Sequence, residues 1–286
     1  MNTIKKYLSL VKFSHTIFAL PFALIGFFLA TQYANYSFDW LIFVYVLLCM
    51  VFARNAAMAF NRYIDRNIDK LNPRTEQREI PAGIISASSA KYFVIINSVL
   101  FIATTWFINP LVFYLSPVAL LVVLGYSYTK RFTFLCHFVL GLGLALAPIG
   151  AYLSVTGKFD VLPVIFSFIV LLWTSGFDII YALQDDEFDK DQFLNSIPVL
   201  TGKKNALTIS SILHAIAGIL IIVAGYFGNF ALWYWLGAVI FIALLFYQHS
   251  IVKVDDLSKV NLAFFTTNGV ASVVFATFTI ISMFIG

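Results

Sequence analysis

The chain has 286 residues, of which 61% are hydrophobic and only 11% are charged. This composition, with a mean hydropathy of +0.90, excludes an ordinary soluble domain and indicates a polytopic membrane protein. The formal net charge of +4 favours contact with the anionic headgroups of a lipid bilayer and not with nucleic acid, since no soluble basic domain is present to bind nucleic acid.

Nine apolar segments are long enough to cross a bilayer, because a transmembrane helix needs roughly 20 such residues. Helices are expected because the backbone polar groups of a segment in lipid must be satisfied within that segment. The expected spans are 14–33, 39–60, 90–108, 110–127, 134–154, 161–182, 206–227, 230–248 and 260–285. The sequence therefore predicts an all-α polytopic membrane protein, a single integral-membrane domain over 1–286 with about nine transmembrane helices.

The first apolar segment has some features of a secretory signal. Lys5, Lys6 and Lys12 precede an apolar run from Thr16 to Ala30. Because no convincing cleavage site of small residues follows this run, we expect it to remain in the protein as the first span.

The basic residues indicate the orientation in the membrane. With the N-terminus inside, 16 of the 18 Lys and Arg residues lie on one face, Lys158 lies alone on the other, and Arg54 lies within the second span. Because cytoplasmic loops carry an excess of Lys and Arg, this face is predicted to be cytoplasmic. The protein is thus expected in the inner (cytoplasmic) membrane, with its long charged loops in the cytoplasm.

The acidic residues are concentrated in two clusters, each where an apolar segment meets a charged loop. The first cluster contains Asn61, Asp65 and Asp69, whose four-residue spacing places them on one stripe of a helix at the mouth of the second span. Arg54 lies deeper in the membrane on nearly the same line. Because like charges one turn apart repel, a cation is expected between or above the carboxylates.

Two interpretations of the first cluster are open. One is a solvated helix end with balanced charge, in which Arg62 and Arg66 partly neutralise the carboxylates. The other is a Mg²⁺ site that holds a phosphate, because Mg²⁺ binds through one or two carboxylates plus substrate phosphates. Arg74 and Arg78 in the following loop favour the second interpretation, since guanidinium groups match phosphate oxygens.

The second cluster repeats the spacing of the first. Asp178, Tyr181, Asp185 and Asp189 are predicted to form a stripe at the mouth of the sixth span, with Asp186 projecting elsewhere into solvent. An unpaired carboxylate within an apolar run, such as that of Asp178, is costly and indicates a functional site. The two clusters lie on the same face, which suggests two related halves packed around one central cavity open to the cytoplasmic side.

The stretch from Asn61 to Gly83, NRYIDRNIDKLNPRTEQREIPAG, closely resembles the first aspartate-rich motif of the UbiA-type intramembrane aromatic prenyltransferases. The stretch from Asp178 to Pro198, DIIYALQDDEFDKDQFLNSIP, resembles their second motif. Segments 12–24 (KFSHTIFALPFAL) and 126–132 (YSYTKRF) are similar to the 4-hydroxybenzoate polyprenyltransferase branch. The likeness spans nearly the whole chain.

Members of this family use Mg²⁺ to transfer a polyprenyl group from its diphosphate to an aromatic or other acceptor. The resemblance implies that one Mg²⁺ is held by Asn61, Asp65 and Asp69, and a second by Asp185 and Asp189. It implies in the same way that the diphosphate is bound by Arg74, Arg78 and Lys130. Tyr181 is expected to have a role in the site because it lies on the second acidic stripe.

Two charged residues within the membrane have several interpretations. Arg54 could pair with Asp178 across the bundle, bind the carboxylate of the acceptor, or have a structural role. Asp178 could orient Tyr181 or a basic residue, or contribute to deprotonation of the acceptor. His15, near the start of the first span, is expected to make a structural hydrogen bond and not to contact the acceptor.

The expected function is therefore Mg²⁺-dependent transfer of a polyprenyl group from polyprenyl diphosphate to an aromatic acid similar to 4-hydroxybenzoate, in quinone biosynthesis. Prenylation of a naphthoate-type acceptor in menaquinone biosynthesis is the nearest alternative. An ion-coupled transporter that uses Asp178 and Arg54 is an alternative of a different class. It is less favoured because a transporter needs access from both faces, whereas the charged side chains crowd one face.

Overall fold

The computed structural model describes residues 3–285, apart from the side chains of residues 3, 4 and 13–15. The side chain of His15 therefore lies outside the described part of the chain. Nearly all of the described chain is helical. The α-helices are α1 (Thr3–Leu10), α2 (Leu20–Phe28), α3 (Trp40–Leu71), α4 (Ala87–Trp106), α5 (Pro110–Thr129), α6 (Cys136–Thr156), α7 (Val161–Ala182), α8 (Asp186–Asp191), α9 (Ile197–Phe227), α10 (Leu232–Ile251) and α11 (Asn268–Ile285).

Nine helical segments in the described range are long and apolar enough to cross a membrane, which confirms the predicted number. The first span is composite, because a 3-10 turn (Phe13–Phe18) precedes α2 and a π-helical turn (Leu29–Tyr33) follows it. The last span likewise joins a π-helical turn (Leu262–Thr267) to α11. The short connection between α4 and α5 is a true break, since Asn109 caps α5 by accepting from the backbone N–H of Val112.

Two helices extend well beyond their predicted spans. α3 continues to Leu71, so that the whole first acidic cluster lies on one unbroken helix. α9 begins at Ile197 and bends at Gly202, whose φ of 78° lies in the left-handed region that glycine adopts without steric cost. The extension of α3 forms a rigid support that carries the first cluster out of the apolar part of the bundle.

Glycines allow α6 to pack closely at the centre of the bundle. A Cβ atom at Gly26 of α2 would lie 2.0 Å from the carbonyl oxygen of Pro148 in α6. A Cβ atom at Gly141 of α6 would lie 2.5 Å from the carbonyl oxygen of Leu171 in α7. Such small residues let helix backbones approach each other closely in membrane proteins, and they position the start of α6 beside α7, where the site lies.

Candidate active site

All of the predicted site residues line one polar cavity of about 310 Å³. The cavity is formed by α3, the loop that follows it, the end of α5, the start of α6, the end of α7, and α8. The predicted residues that line it are Arg54, Asn61, Asp65, Asp69, Arg74, Arg78, Lys130, Asp178, Tyr181, Asp185 and Asp189. The fold therefore brings the two acidic clusters and their neighbouring bases together.

On α3, the side chains of Asn61 and Asp65 are in direct contact. Asn61 Nδ2 donates to Asp65 Oδ2 at 2.8 Å, which is the contact expected for residues four apart on a helix. The other oxygen, Asp65 Oδ1, accepts from Arg131 Nη2 at 2.8 Å. Arg131 follows α5 and also donates to the carbonyl of Ile64 at 3.2 Å, so it fastens the end of α5 to α3.

The loop after α3 folds back over its own helix. Asn72 Oδ1 accepts from the backbone N–H of Arg74 at 2.9 Å, and the hydroxyl of Thr75 donates to the carbonyl of Asp69 at 3.0 Å. These local turns bring Arg78 to Asp69, where Nη1 donates to Oδ1 at 2.6 Å. Asp69 is thus covered by a base from the loop that follows its own helix.

The second cluster is not a single helical stripe, and that prediction was wrong. α7 ends at Ala182, a turn follows through Asp185, and α8 begins one residue later. The cluster converges all the same, because Asp178 and Tyr181 on α7 line the same cavity as Asp185 and Asp189. Across this break between α7 and α8, contacts with the loop after α3 hold Asp185 in place.

Asp185 is held by two residues of that loop. Arg74 donates from Nε to Asp185 Oδ1 at 2.9 Å and from Nη2 to Oδ2, while Asn72 Nδ2 donates to Oδ1 at 3.1 Å. Burial acts to raise the pKa of Asp185, but these donors outweigh it and hold the pKa below its ordinary value. Arg74 Nη1 also donates to the hydroxyl of Tyr181 at 2.9 Å, so one guanidinium joins the carboxylate to the phenol.

Asp189 lies in a different environment. Only 1% of its side chain is exposed, and its Oδ2 lies 2.6 Å from Lys130 Nζ. Burial outweighs the charge of Lys130 here and raises the pKa of Asp189 above its ordinary value. Lys130 is anchored by its own carbonyl, which accepts from the backbone N–H of Asn195 at 2.7 Å.

Each of the four aspartates therefore has one basic partner from another part of the chain. The ion pairs are Asp65–Arg131, Asp69–Arg78, Asp185–Arg74 and Asp189–Lys130. This pairing compensates each carboxylate, since a buried carboxylate without a partner is strongly destabilising.

Among the described residues, neither Arg62 nor Arg66 forms an ion pair with the aspartates of the first cluster, whose partners are Arg131 and Arg78. Arg66 Nη1 donates to the carbonyl of Tyr63 at 2.6 Å. Arg62 is only 6% exposed and lines the cavity, but its buried Nε has no hydrogen-bond partner among the described residues. The cations that were expected between the carboxylates come instead from the loop after α3 and the end of α5.

The predicted alternative in which Arg54 pairs with Asp178 was wrong. Asp178 Oδ2 lies 2.7 Å from His137 Nδ1, at the start of α6. Arg54 Nη2 donates instead to the backbone carbonyls of Lys12 at 2.9 Å and Val11 at 3.3 Å. Arg54 therefore ties α3 to the N-terminal segment, and Asp178 has a partner that the sequence did not indicate.

Asp186 also departs from its predicted role as a solvated residue. It is buried, and its carboxylate lies 3.3 Å from Lys203 Nζ and 3.7 Å from Lys190 Nζ. The pair with Lys203 connects α8 to α9, whereas the pair with Lys190 lies within α8.

A second cavity, of about 370 Å³, adjoins the polar one. The two cavities share the lining residues Arg54, Met58, Tyr126, Leu140 and Leu144. The remaining lining of the second cavity is predominantly apolar and comes mainly from α3, α5 and α6. Charged and apolar binding space are therefore continuous inside the bundle, with Arg54 and Tyr126 at the junction.

Asn72, Arg131 and His137, whose side chains hydrogen-bond to the predicted aspartates of the site, were not predicted. Arg131 is next to Lys130 in the YSYTKRF segment, so that motif could have indicated it. His137 has no motif around it, and its partner Asp178 is 41 residues away in the chain. Only the packing of α6 against α7 brings these two side chains together.

The donor set fits Mg²⁺ in its chemistry, because carboxylate and amide oxygens are ligands that Mg²⁺ accepts. Asp69 Oδ2 is buried without a hydrogen-bond partner in the described part of the chain, so it can accept a cation. Among residues 3–285, however, no group of three or more His, Cys, Asp or Glu side chains is arranged to hold a metal ion. In this structure the carboxylates of both clusters are paired with basic side chains.

These features define a class of protein: a multi-pass helical membrane protein with two adjoining internal cavities, one charged and one apolar. The chain matches the UbiA prenyltransferase family over residues 19–270. It belongs to this family, and it is a prenyltransferase, as the sequence motifs predicted.

Relatives and solved structures agree with this assignment. The 4-hydroxybenzoate octaprenyltransferase of Aliivibrio fischeri (strain MJ11) is 28% identical over 83% of this chain and 82% of its own length. That of Vesicomyosocius okutanii subsp. Calyptogena okutanii (strain HA) is 30% identical over 82% of this chain and 85% of its own. An apo UbiA homologue from Aeropyrum pernix K1 is 29% identical, with a TM-score of 0.85 over 94% of this chain and 98% of that one.

A UbiA homologue from Archaeoglobus fulgidus, solved with DMAPP and Mg²⁺ bound, is 23% identical to this chain. It has the same fold, with a TM-score of 0.76 over 98% of this chain and 100% of that one. The predicted all-α membrane fold is thus confirmed.

Proposed function

We propose that the protein transfers a polyprenyl group from polyprenyl diphosphate to an aromatic acid related to 4-hydroxybenzoate, with Mg²⁺ as cofactor and in quinone biosynthesis. The observation that carries this proposal is the pairing of four cavity aspartates with four bases beside an apolar cavity. Such a site holds both kinds of charge that a metal diphosphate needs: carboxylates for the metal, and guanidinium and ammonium groups for phosphate oxygens.

Arg74, Arg78 and Lys130 are the bases that we assign to the diphosphate, and Arg131 joins them. All four reach into the polar cavity, and an aspartate holds each one in position. Their charge stabilises the negative charge that gathers on the leaving diphosphate. Mg²⁺, held by Asn61, Asp65 and Asp69 and by Asp185 and Asp189, would when bound add to this stabilisation.

The apolar cavity is the proposed site of the polyprenyl chain. The allylic carbon would then lie near the junction of the two cavities, which Tyr126 lines, and Tyr181 lines the polar cavity. Aromatic ring faces stabilise cations, and Tyr181 is held by Arg74 and by contact with Phe264, whose ring centroid is 4.2 Å away. The apolar walls exclude water, which protects an allylic cation from hydrolysis.

The acceptor is proposed to bind at the junction through Arg54. Its Nη2 is held by two backbone carbonyls. Its buried Nε has no hydrogen-bond partner in the described range and is a donor available for a carboxylate. A naphthoate-type acid presents the same carboxylate. We favour a hydroxybenzoate because the relatives are named 4-hydroxybenzoate octaprenyltransferases, and membership of a prenyltransferase family removes support for the transporter.

We propose that the charged end of the cavity faces the cytoplasm from the inner membrane. The support for this orientation is the concentration of 16 of the 18 Lys and Arg residues on that face in the nine-span arrangement. The polyprenyl substrate would then enter the protein laterally from the lipid bilayer, while the aromatic acid arrives from the aqueous side.

The test uses the purified full-length protein in lipid vesicles, with a labelled polyprenyl diphosphate, Mg²⁺ and a panel of aromatic acids. We expect prenylated hydroxybenzoate to form with Mg²⁺ and not with EDTA, and Asp65→Ala to abolish its formation. Asp191→Ala, at the exposed end of α8, is the matched control and should keep wild-type activity. Transfer that survives EDTA or Asp65→Ala would overturn the metal assignment, and transfer to a hydroxynaphthoate alone would select the menaquinone alternative.

A further inference from the structure

His137 has two hydrogen-bond partners that together define its protonation. Its Nε2 lies 3.3 Å from the backbone nitrogen of Ile197, the first residue of α9. A backbone N–H can only donate, so Nε2 must be the nitrogen that accepts. Nδ1 then carries a ring proton and donates a hydrogen bond to Asp178 Oδ2 at 2.7 Å.

Asp178 differs from the four aspartates that are paired with bases. Its partner is an imidazole, and no Lys or Arg of the described chain lies in ion-pair contact with it. His137 is 3% exposed, whereas Asp178 is 22% exposed and lines the polar cavity. One carboxylate oxygen is thus held by His137, while Oδ1 makes no hydrogen bond to a described residue.

We propose that Asp178 is the base that takes the proton released by the acceptor, and that His137 is the positioning residue that holds Asp178 for this step. The inference rests on the proposed transferase function. An oxygen that is neither ion-paired nor hydrogen-bonded is available to accept a proton, and a base must be held within hydrogen-bond reach of the proton it removes. A fixed donor on Oδ2 orients the carboxylate and leaves Oδ1 without a partner among the described residues.

The chemical step balances with the groups already named. The C–O bond between the allylic carbon and the diphosphate breaks, and its electron pair leaves with the diphosphate. The acceptor ring uses one pair of π electrons to form the new C–C bond. The ring carbon then loses its proton to Asp178 Oδ1, the C–H electron pair restores the aromatic ring, and His137 keeps its own proton throughout.

A purely structural role for His137 must be separated from this positioning role, because the same two hydrogen bonds connect α6 to α7 and α9. The two roles can be separated because each ring nitrogen makes a different hydrogen bond, and a variant can keep one bond and lose the other. The amide nitrogen of Asn occupies the place of Nδ1, so His137→Asn keeps the donor to Asp178 and loses the contact with Ile197. His137→Gln keeps an acceptor near Ile197 and loses the donor, while His137→Phe keeps the ring volume and loses both.

The experiment measures kcat and KM for transfer to 4-hydroxybenzoate by full-length wild type and the three variants in lipid vesicles, with thermal unfolding of each as a record of folding. We expect His137→Phe and His137→Gln to lower kcat roughly 10- to 100-fold. KM for the polyprenyl diphosphate should stay within about twofold, because the diphosphate site is untouched. His137→Asn should keep most of the wild-type kcat.

Asp178→Asn provides the coupling test. If His137 acts through Asp178, adding His137→Phe to Asp178→Asn should cause no further loss of kcat. Three results would overturn this inference alone. They are a wild-type kcat in His137→Phe, a higher kcat in His137→Gln than in His137→Asn, and fully additive losses of kcat in the double variant. Absence of transfer by the wild type would overturn the proposed function itself.

Discussion

Asp69 and Arg78 show how a buried cavity can hold opposite charges before a substrate binds. Arg78 donates to Asp69 Oδ1, while Oδ2 is buried without a partner among the described residues. The guanidinium compensates the carboxylate, and the free oxygen is available for a further cation. Removal of one member leaves the other uncompensated in a site where water is scarce. At the proposed metal site, Arg78 and a Mg²⁺ ion would therefore compete for the one negative charge of Asp69, although they contact different oxygens.

This competition makes a prediction about Arg78→Gln in the absence of substrate. The variant should unfold at a lower temperature than wild type in EDTA, because the buried carboxylate of Asp69 loses its partner. Mg²⁺ should then raise the unfolding temperature of the variant more than that of wild type, because the metal no longer displaces Arg78 from Asp69. Thermal unfolding in detergent, with and without Mg²⁺, measures both effects.

Arg66→Gln is the matched control, since Arg66 lies on the same helix and contacts only the carbonyl and the ring of Tyr63 among the described residues. Its Mg²⁺-induced shift should equal that of wild type. A Mg²⁺-induced shift in Arg78→Gln that is equal to or smaller than the wild-type shift would show that the metal does not compete with Arg78 at Asp69.

At the scale of elements, the two acidic clusters differ in how far the sequence could predict them. The first lies on α3, where local periodicity determines which side chains share a face. In the second, α7 stops after Ala182 although the sequence gives no sign of it, because no Gly or Pro lies between Ala182 and Asp186. The break is stabilised by Arg74 and Asn72, whose partner Asp185 is more than 100 residues away. Such long-range contacts cannot be read from local sequence patterns.

The contact between the loop after α3 and the turn after α7 predicts a pH effect in metal-free protein. The pKa of Asp185 is held below its ordinary value by Arg74 and Asn72 against the effect of burial. Its ionised form thus stabilises the folded state above the ordinary pKa of about 4, and this contribution is lost as the pH falls through the lowered folded pKa. Asp185→Asn should therefore lower the unfolding temperature at pH 7, and the difference from wild type should shrink below about pH 4.

Thermal unfolding in EDTA at several pH values measures this difference. Asp191→Asn is the control, because Asp191 is exposed and should give the same unfolding temperature as wild type at every pH. A difference between wild type and Asp185→Asn that grows as the pH falls would contradict the assigned direction of the pKa shift.

At the scale of the whole molecule, the sequence predicted the number of spans and the convergence of two distant motifs on one cavity. Hydropathy suffices for the spans, because every lipid-embedded segment must be long, apolar and helical. The partners inside the cavity depend on which helix faces meet, and hydropathy does not encode that. Thus the sequence identified Lys130 and Asp189 as site residues, but their ion pair followed only from the packed bundle.

The charge asymmetry of the whole molecule predicts its orientation. In a variant without Cys49 and Cys136, a single cysteine at Gln77 in the loop after α3 should be labelled from the cytoplasmic side. A single cysteine at Lys158, between α6 and α7, should be labelled from the opposite side; both positions are exposed. An impermeant thiol reagent applied to intact cells and to inverted vesicles makes the comparison, and the reverse pattern would contradict the orientation.

The continuity of the two cavities predicts how the site accepts substrates of different length. Gly150 lines the apolar cavity, and a Cβ atom there would meet no other atom within 4 Å. Gly150→Phe should fill part of the space proposed for the polyprenyl chain without a clash in the helix. KM for a long polyprenyl diphosphate should rise roughly 10-fold, since each buried CH₂ group is worth about 0.8 kcal/mol, whereas KM for dimethylallyl diphosphate should stay unchanged.

Gly125→Phe is the matched control, because Gly125 also has open space around its Cβ position but does not line either cavity. It should leave both KM values at the wild-type level. Equal losses with the long and the short diphosphate in Gly150→Phe would place the polyprenyl chain outside the apolar cavity. A loss confined to the long substrate would mean that the apolar cavity holds its distal isoprene units while the charged end holds the diphosphate, so that substrate length and reaction chemistry are determined in separate parts of one bundle.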